Sequence, residues 1–211
     1  TALWRNLAGL TPFSNAISSQ YQQLSVMAQA WATPGQGLRG SAALLRDIKW
    51  GLKWLHKHEF NAHIPETGNW YDFEIDAPGC LCDTLILLGD ALTFDQKHRY
   101  LRAVGKFDAD ADVINVAPGH SQRSTGSNRT DKAMNLLFKG MLLNEEDTVW
   151  KAVTAIRSVF RTVRQGDGFY EDGSFVFHGF FPYTGNYGLV LLSDVADSCY
   201  LLKGTRWDFS T

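Results

Sequence analysis

The segment that decides the fold is SAALLRDIKWGLKWL, residues 41–55, which places aliphatic side chains three or four positions apart. These side chains belong to Leu44, Leu45, Ile48, Leu52 and Leu55. Because an α-helix turns once every 3.6 residues, this spacing gathers them on one face. Ser41 precedes the run, and a serine side chain can accept a hydrogen bond from a free N–H group of the first turn. The segment therefore predicts an amphipathic helix that begins at Ser41.

Helical patterning continues on both sides of this segment, and strand patterning is nearly absent. Apolar spacing predicts an earlier helix from Ser14 to about Ala32 and a later one after Thr93. Further helices are predicted over residues 79–88, 130–143, 145–163 and 187–202. Glycine, proline and polar residues replace the pattern over 106–127 and 165–186, which predicts two long loops. The sequence therefore predicts an all-α fold of helix pairs, with one domain over residues 1–211.

The composition and charge of the chain limit the kinds of partner that we expect it to bind. The chain is 45% hydrophobic and 20% charged, which is typical of a globular protein and not of a disordered one. Its net charge is −2 and its lysines and arginines form no block, so we expect no nucleic-acid partner. No apolar run reaches the length that crosses a bilayer, so we expect no membrane partner.

Two polar stretches hold the candidate chemistry. TGSNRTD, residues 125–131, carries Asn128, and DGFYEDGSFVFHGFFPYTGNYG, residues 167–188, carries His178 and Tyr187. Removing a proton next to a carboxylate requires a donor that stabilises the carboxylate, a base, and an acid for the leaving oxygen. An asparagine amide, a neutral histidine and a tyrosine can supply these groups. The three residues therefore predict cleavage of a uronic acid by β-elimination. Either His178 or Tyr187 could be the base, and Tyr183 competes for the role of the tyrosine.

Four segments carry a resemblance to a known family: NWYDFEIDAP (69–78), TGSNRTD (125–131), GDGFYEDGSFVFH (166–178) and YTGNYGLVLL (183–192). In sequence, order and spacing they resemble polysaccharide lyase family 8, which contains chondroitin AC, hyaluronate and xanthan lyases. The resemblance extends from about Trp70 to Trp207. It implies an all-α fold that is part of an incomplete (α/α) toroid. It also implies that the predicted domain, residues 1–211, is part of a catalytic domain.

The resemblance also implies roles for the site residues. Asn128 would neutralise the substrate carboxylate, and His178 would assist or share the role of base. Tyr187 would remove the proton and then protonate the leaving oxygen.

Substrate binding is implied for a second group of residues. Asn69, Trp70 and Tyr71 match an asparagine and aromatic patch that stacks on sugar rings, although the two rings could also be core residues. Arg129 could offer charge to a polyanion, or it could cap a helix or be solvated. The implied partner is an acidic polysaccharide, with chondroitin and hyaluronan first and xanthan as the alternative.

Two alternatives come from other functional classes. The chain could be a carbohydrate-binding fragment without activity. A glycoside hydrolase would instead need two facing carboxylates. The available carboxylates are Asp72, Glu74, Glu171 and Asp172.

Members of the family continue through the rest of the toroid and β-sandwich domains, with a downstream catalytic arginine and usually a glutamate. We therefore expect this chain to be a fragment, and the C-terminal remainder could be a separate chain. Thr1 does not open a signal peptide, so we expect a secreted protein whose signal has been removed. A glycan at the sequon Asn128-Arg129-Thr130 would block the site, which indicates either a bacterial source, which we expect, or a sequon that is buried before it can be modified.

We expect no cofactor and no metal. Asp108, Asp110 and Asp112 alternate as in a calcium loop, but the glycine and glutamate of that loop are missing. The histidines at positions 56, 58 and 63 lack zinc-site spacing. In the predicted reaction the Asn128 amide does the electrostatic work that a metal would do.

Overall fold

The computed structural model describes residues 3–4, 15–35, 37–117 and 119–210, and the chain forms two compact units, Thr1–Ala109 and Asp110–Thr211. Helices make up 62% of it, with seven α-helices in the described ranges and small sheets. The all-α prediction is confirmed. The assignment of residues 1–211 to one catalytic domain stays a prediction.

The first unit is helical. It contains α1 (Asn15–Ala32), α2 (Ala42–His58), α3 (Ala77–Leu88) and α4 (Phe94–Phe107), and a π-helical turn, Asp72–Asp76, leads directly into α3. Helix α1 packs against both α2 and α3. The largest side chains of this core are Tyr21, Leu24, Ile48, Leu52, Leu55, Phe60, Phe73, Leu81 and Leu85.

Local sequence accounts for the ends and buried faces of these helices. The Leu44 N–H donates to the Ser41 hydroxyl at 3.3 Å, and the α2 face is buried at Ile48, Leu52 and Leu55. Thr93 and Gln96 form a reciprocal capping box at the start of α4. The predicted start and buried face of α2 and the predicted helix after Thr93 are confirmed, whereas the predicted cap Ser14 lies outside the described residues.

The second unit mixes helices with short strands. In chain order it contains β1 (Val113–Ala117), β2 (His120–Arg123), α5 (Gly126–Leu143), α6 (Glu146–Ser158), β3 (Gly168–Phe169), β4 (Phe175–Phe177), β5 (Phe181–Pro182) and α7 (Leu189–Leu202). Strands β1 and β2 form an antiparallel hairpin, and β3, β4 and β5 form an antiparallel sheet in that order. The prediction of two structureless loops at 106–127 and 165–186 is therefore wrong, because both contain paired strands.

Three helix bounds also differ from prediction. Helix α5 begins at Gly126 and not at residue 130, because Gly126 adopts a φ of 51° that allows the chain to turn into the helix. Helix α6 ends at Ser158 and not at residue 163. At this end the Ser158 hydroxyl donates to the Ala155 carbonyl at 2.6 Å. Helix α7 begins at Leu189, after a second π-helical turn, Thr184–Gly188.

Two apolar clusters hold the second unit together. One lies mainly between α5 and α6 and includes Leu137, Val153 and Ile156. The other consists of Phe175 and Phe177 from β4 and Leu191 from α7. This smaller cluster fixes the hairpin and the turn that carry the candidate site. No helix in the described ranges is long and apolar enough to cross a membrane.

Candidate functional site

His178 lies at the tip of the hairpin between β4 and β5. Phe177 and Phe181 are paired across the strands, so residues 178–180 form the connection. His178 has a φ of 54°, in the left-handed region that non-glycine residues rarely adopt, and Gly179 follows with a φ of 80°. The imidazole is exposed on this tight connection.

Tyr187 lies in the π-helical turn before α7. The carbonyl of Tyr183 accepts from the N–H groups of Asn186 and Gly188 at 3.2 and 3.0 Å. The turn is attached to β4, because the Phe175 N–H donates to the Thr184 hydroxyl at 3.1 Å. A π-helical turn frequently marks a functional site, since it alters the direction in which its side chains point.

The rings of His178, Tyr183 and Tyr187 form one cluster. The His178 and Tyr187 centroids are 5.3 Å apart with the planes at 87°, and Tyr183 lies 6.1 Å from His178 and 5.1 Å from Tyr187. The buried ring of Phe177 supports them, with its centroid 4.7 Å from His178 and 4.4 Å from Tyr187. The structure thus brings the predicted histidine and tyrosine together, and the competing Tyr183 contacts both rings.

Asn128 lies in the first turn of α5, two residues before the predicted start of that helix at residue 130. The start of this helix packs against the ring cluster through Gly126, where an added Cβ would come within 2.6 Å of the Phe177 ring. Helix α5 also contacts the Thr184–Gly188 turn. The side chains of Asn128, His178 and Tyr187 form no hydrogen bond with any other described residue. The predicted triad therefore lies on three adjoining elements of one unit.

Sequence reasoning missed Asp167. Its carboxylate accepts a hydrogen bond from the Thr125 hydroxyl at 2.6 Å and another from the Gly179 N–H at 2.7 Å. Thr125 precedes α5, and Gly179 follows His178. The only sequence signal was its place at the start of the 167–188 stretch.

Arg129 is buried beneath the start of α5. Its Nε lies 3.0 Å from Oδ1 of Asp112, and its Nη1 donates to the Ser158 hydroxyl at 2.8 Å. Burial lowers the pKa of Arg129, while the Asp112 carboxylate acts in the opposite direction. These contacts fix the guanidinium inside the unit, and a role in substrate binding stays a prediction.

A cavity of about 320 Å³ lies beside Arg129. Thr125, Asp167 and Arg129 contribute to its wall, together with two exposed cations, Arg123 and Arg161. The lining of the cavity therefore includes exposed positive charge.

Asn69, Trp70 and Tyr71 belong to the first unit, at the entry to the Asp72–Asp76 turn. The Asn69 Oδ1 accepts from the Tyr71 N–H at 3.2 Å, and the two aromatic rings meet edge to face with centroids 6.0 Å apart. Tyr71 is exposed and Trp70 is half-buried. Both rings have surface available for a sugar, and their part in the site stays a prediction.

The acidic residues weighed for hydrolysis differ in exposure. Asp72 and Glu74 are buried, and Asp72 accepts from the Ser18 hydroxyl at 2.8 Å, so these two belong to the interior of the first unit. Glu171 and Asp172 are exposed in a turn. No group of three or more histidine, cysteine or acidic residues in the described part of the chain could hold a metal ion.

A model of polysaccharide lyase family 8, N-terminal alpha-helical domain, matches residues 1–211. Hyaluronate lyase from Staphylococcus aureus (strain NCTC 8325 / PS 47) is 28% identical over 232 residues, covering 99% of this chain and 29% of that protein. The resemblance carried by the four motifs is confirmed.

Solved structures agree with this match. Chondroitin AC lyase from Streptomyces coelicolor A3, in complex with chondroitin sulphate, is similar with a TM-score of 0.89 and 33% identity over 99% of this chain and 27% of that one. Xanthan lyase from Paenibacillus has a TM-score of 0.86 and 33% identity over 98% of this chain and 19% of that one. The chain thus spans less than a third of the length of each of these three proteins.

Proposed function

Since this chain belongs to polysaccharide lyase family 8, we propose that it supplies Asn128, His178 and Tyr187 to the β-elimination of a uronate-containing polysaccharide. Its relatives at about 30% identity are polysaccharide lyases. The observation that carries the proposal is the edge-on contact of the His178 and Tyr187 rings at 5.3 Å beside the helix start that bears Asn128.

The reaction assigns one task to each residue. The Asn128 amide donates to the uronate carboxylate and stabilises the negative charge that develops there. Tyr187, as the phenolate, takes the C5 proton, and the electrons of that bond form the C4–C5 double bond as the C4–O bond breaks. Tyr187 then returns the proton to the leaving oxygen, while His178 assists the proton transfer. The products are a new alcohol and a 4,5-unsaturated uronate.

Chondroitin and hyaluronan are the proposed substrates, and xanthan is the alternative within the same chemistry. Relatives named for these three polymers all match this chain. The exposed Arg123 and Arg161, which line the cavity, could bind anionic groups of such a polymer. Trp70 and Tyr71 could stack on its sugar rings.

We further propose a secreted bacterial enzyme that acts with a C-terminal remainder, either in the same polypeptide or as a separate chain. The named relatives are bacterial, and each is several times longer than this chain. The remainder would supply the arginine and glutamate that the family resemblance implies.

The test combines an ultraviolet assay with intact mass under denaturing conditions. Chondroitin, hyaluronan and xanthan are each incubated with the protein, and the unsaturated uronate is followed by its absorbance. Rising absorbance supports elimination, and the polymer that gives the highest kcat/KM identifies the substrate. New reducing ends without absorbance would indicate hydrolysis. Polymer binding without either product would indicate a binding fragment, and the measured mass would show whether a second polypeptide was present.

A further inference from the structure

We propose that Asp167 is a positioning residue that ties the segment carrying His178 to the start of the helix carrying Asn128, a role that rests on the elimination proposed above. Its two carboxylate oxygens point to different segments. Oδ2 accepts from the Thr125 hydroxyl at 2.6 Å, and Oδ1 accepts from the Gly179 N–H at 2.7 Å. One half-buried side chain therefore joins segments that lie 42 residues before it and 12 residues after it.

The contact with Thr125 replaces an ordinary helix cap. A threonine immediately before a helix usually accepts a hydrogen bond from an N–H group of the first turn. Thr125 precedes α5 with extended backbone angles, but its side chain makes no capping bond and donates to Asp167 instead. The first turn of α5, which contains Asn128, is thereby attached to the Asp167 segment.

The contact with Gly179 acts on His178 through the backbone. The N–H of Gly179 belongs to the peptide unit that follows His178, so a bond to this group restricts the ψ angle of His178. His178 has a φ of 54°, which is unfavourable for an L residue unless its surroundings hold it. Asp167 thus restrains the conformation that directs the imidazole toward Tyr187.

Asp172 provides a matched control in the same stretch. Its Oδ1 accepts from the N–H and the hydroxyl of Ser174 at 3.0 and 2.7 Å, which is a local turn two residues long. Asp172 has the same charge and is exposed, but its hydrogen bonds reach only Ser174, two residues away. Asp172→Ala therefore shows the effect of losing a carboxylate alone, without loss of the hydrogen bonds that join Thr125 and Gly179 through Asp167.

The experiment compares Asp167→Ala, Asp167→Asn and Asp172→Ala by two readouts, amide hydrogen exchange at Gly179 and steady-state kinetics. Asp167→Ala should speed exchange at Gly179 by at least about tenfold, because its acceptor is gone. It should lower kcat by at least about tenfold with KM changed less than twofold, because the reacting groups are misplaced while the polymer still binds. Asp167→Asn should keep both values within about threefold, since its amide can accept from Gly179 and donate to the Thr125 hydroxyl. Asp172→Ala should change neither readout.

Three results would overturn the proposal: unchanged exchange at Gly179 in Asp167→Ala, unchanged kcat in that variant, or a loss in Asp167→Asn as large as that in Asp167→Ala. If Asp167→Ala does not fold, Thr125→Val removes one bond without changing the size of the side chain, and kcat equal to that of the parent protein would count against the connection. If the protein forms no unsaturated product even with its C-terminal remainder present, the proposed function fails. The exchange readout would then decide on its own whether Asp167 restrains the His178 segment.

Discussion

The two π-helical turns, Asp72–Asp76 in the first unit and Thr184–Gly188 in the second, share a backbone form and differ in what their side chains contact. In the first turn Asp72, Phe73, Glu74 and Ile75 are buried in the core of that unit. In the second, Gly188 is the one buried residue of the five, and Tyr187 contacts the exposed ring of His178. A π-helical turn therefore does not make a site by itself. The same geometry stabilises a core when its side chains are enclosed and can present reactive groups when they are left accessible.

Tyr187→Phe should show most clearly that the second turn serves the reaction and not the stability of the fold. The substitution removes one oxygen and keeps the ring contacts with Phe177 and His178, so we expect kcat to fall by about 1,000-fold. The free energy of unfolding should change by less than about 0.5 kcal/mol. Ultraviolet kinetics and urea unfolding measure the two effects. Tyr183→Phe is the control, and a larger loss of turnover there would assign the proton transfer to Tyr183.

Phe73→Ala should produce the opposite result in the first turn. Phe73 is 1% exposed, and its ring lies 5.0 Å from Phe107 and 6.1 Å from Phe60. Removing it leaves a cavity in the core and should lower the free energy of unfolding by about 3–4 kcal/mol. Tyr71→Ala, an exposed ring at the entry to the same turn, should cost less than about 1 kcal/mol. Similar losses in the two variants would contradict the distinction between enclosed and accessible positions.

The helices could be predicted because the residues that form each buried face and each helix end lie close together in the sequence. Ile48, Leu52 and Leu55 show the spacing of a buried face, and Thr93 shows its cap. The strands could not be predicted this way. Those at 168–169, 175–177 and 181–182 are too short to show alternation, and they are stabilised by pairing with other segments.

The candidate site was predictable to a similar extent. His178 and Tyr187 stand close in sequence within one motif, and they meet in space. The role of Asp167 depends on Thr125, 42 residues away, and local patterning does not report such a contact. The ion pair of the buried Arg129 side chain with the exposed Asp112 carboxylate was missed for the same reason.

Gly126→Ala tests whether the start of α5 must approach the Phe177 ring of β4 closely. Gly126 has a φ of 51°, and a Cβ would lie 2.6 Å from the Phe177 ring, so both backbone strain and a clash are expected. The free energy of unfolding should fall by about 2 kcal/mol, measured by urea unfolding. Gly185→Ala, within the second turn, has no neighbour within 4 Å of the added carbon and should be nearly neutral. Equal stability of the two variants would show that α5 does not need this close approach.

Asp194 should give the smallest effect, a dependence of stability on pH in the helix that follows the second turn. Burial, with a smaller contribution from Asp197, raises the pKa of Asp194 from 3.8 to about 6, although the Thr130 hydroxyl donates to it at 2.6 Å. The folded state therefore holds this proton more tightly than the unfolded chain does. Its contribution to stability is present below about pH 4 and is lost as the pH rises toward 6.

The parent protein should thus lose about 1–2 kcal/mol between pH 4 and pH 7 relative to Asp194→Asn, which cannot titrate. Urea unfolding of both proteins at several pH values measures this difference. Asp197→Asn should keep most of the dependence, because Asp197 makes the smaller contribution to the raised pKa of Asp194. If Asp194→Asn followed the same stability curve as the parent protein, the carboxyl would be solvated in the folded state, and its burial would not make stability depend on pH.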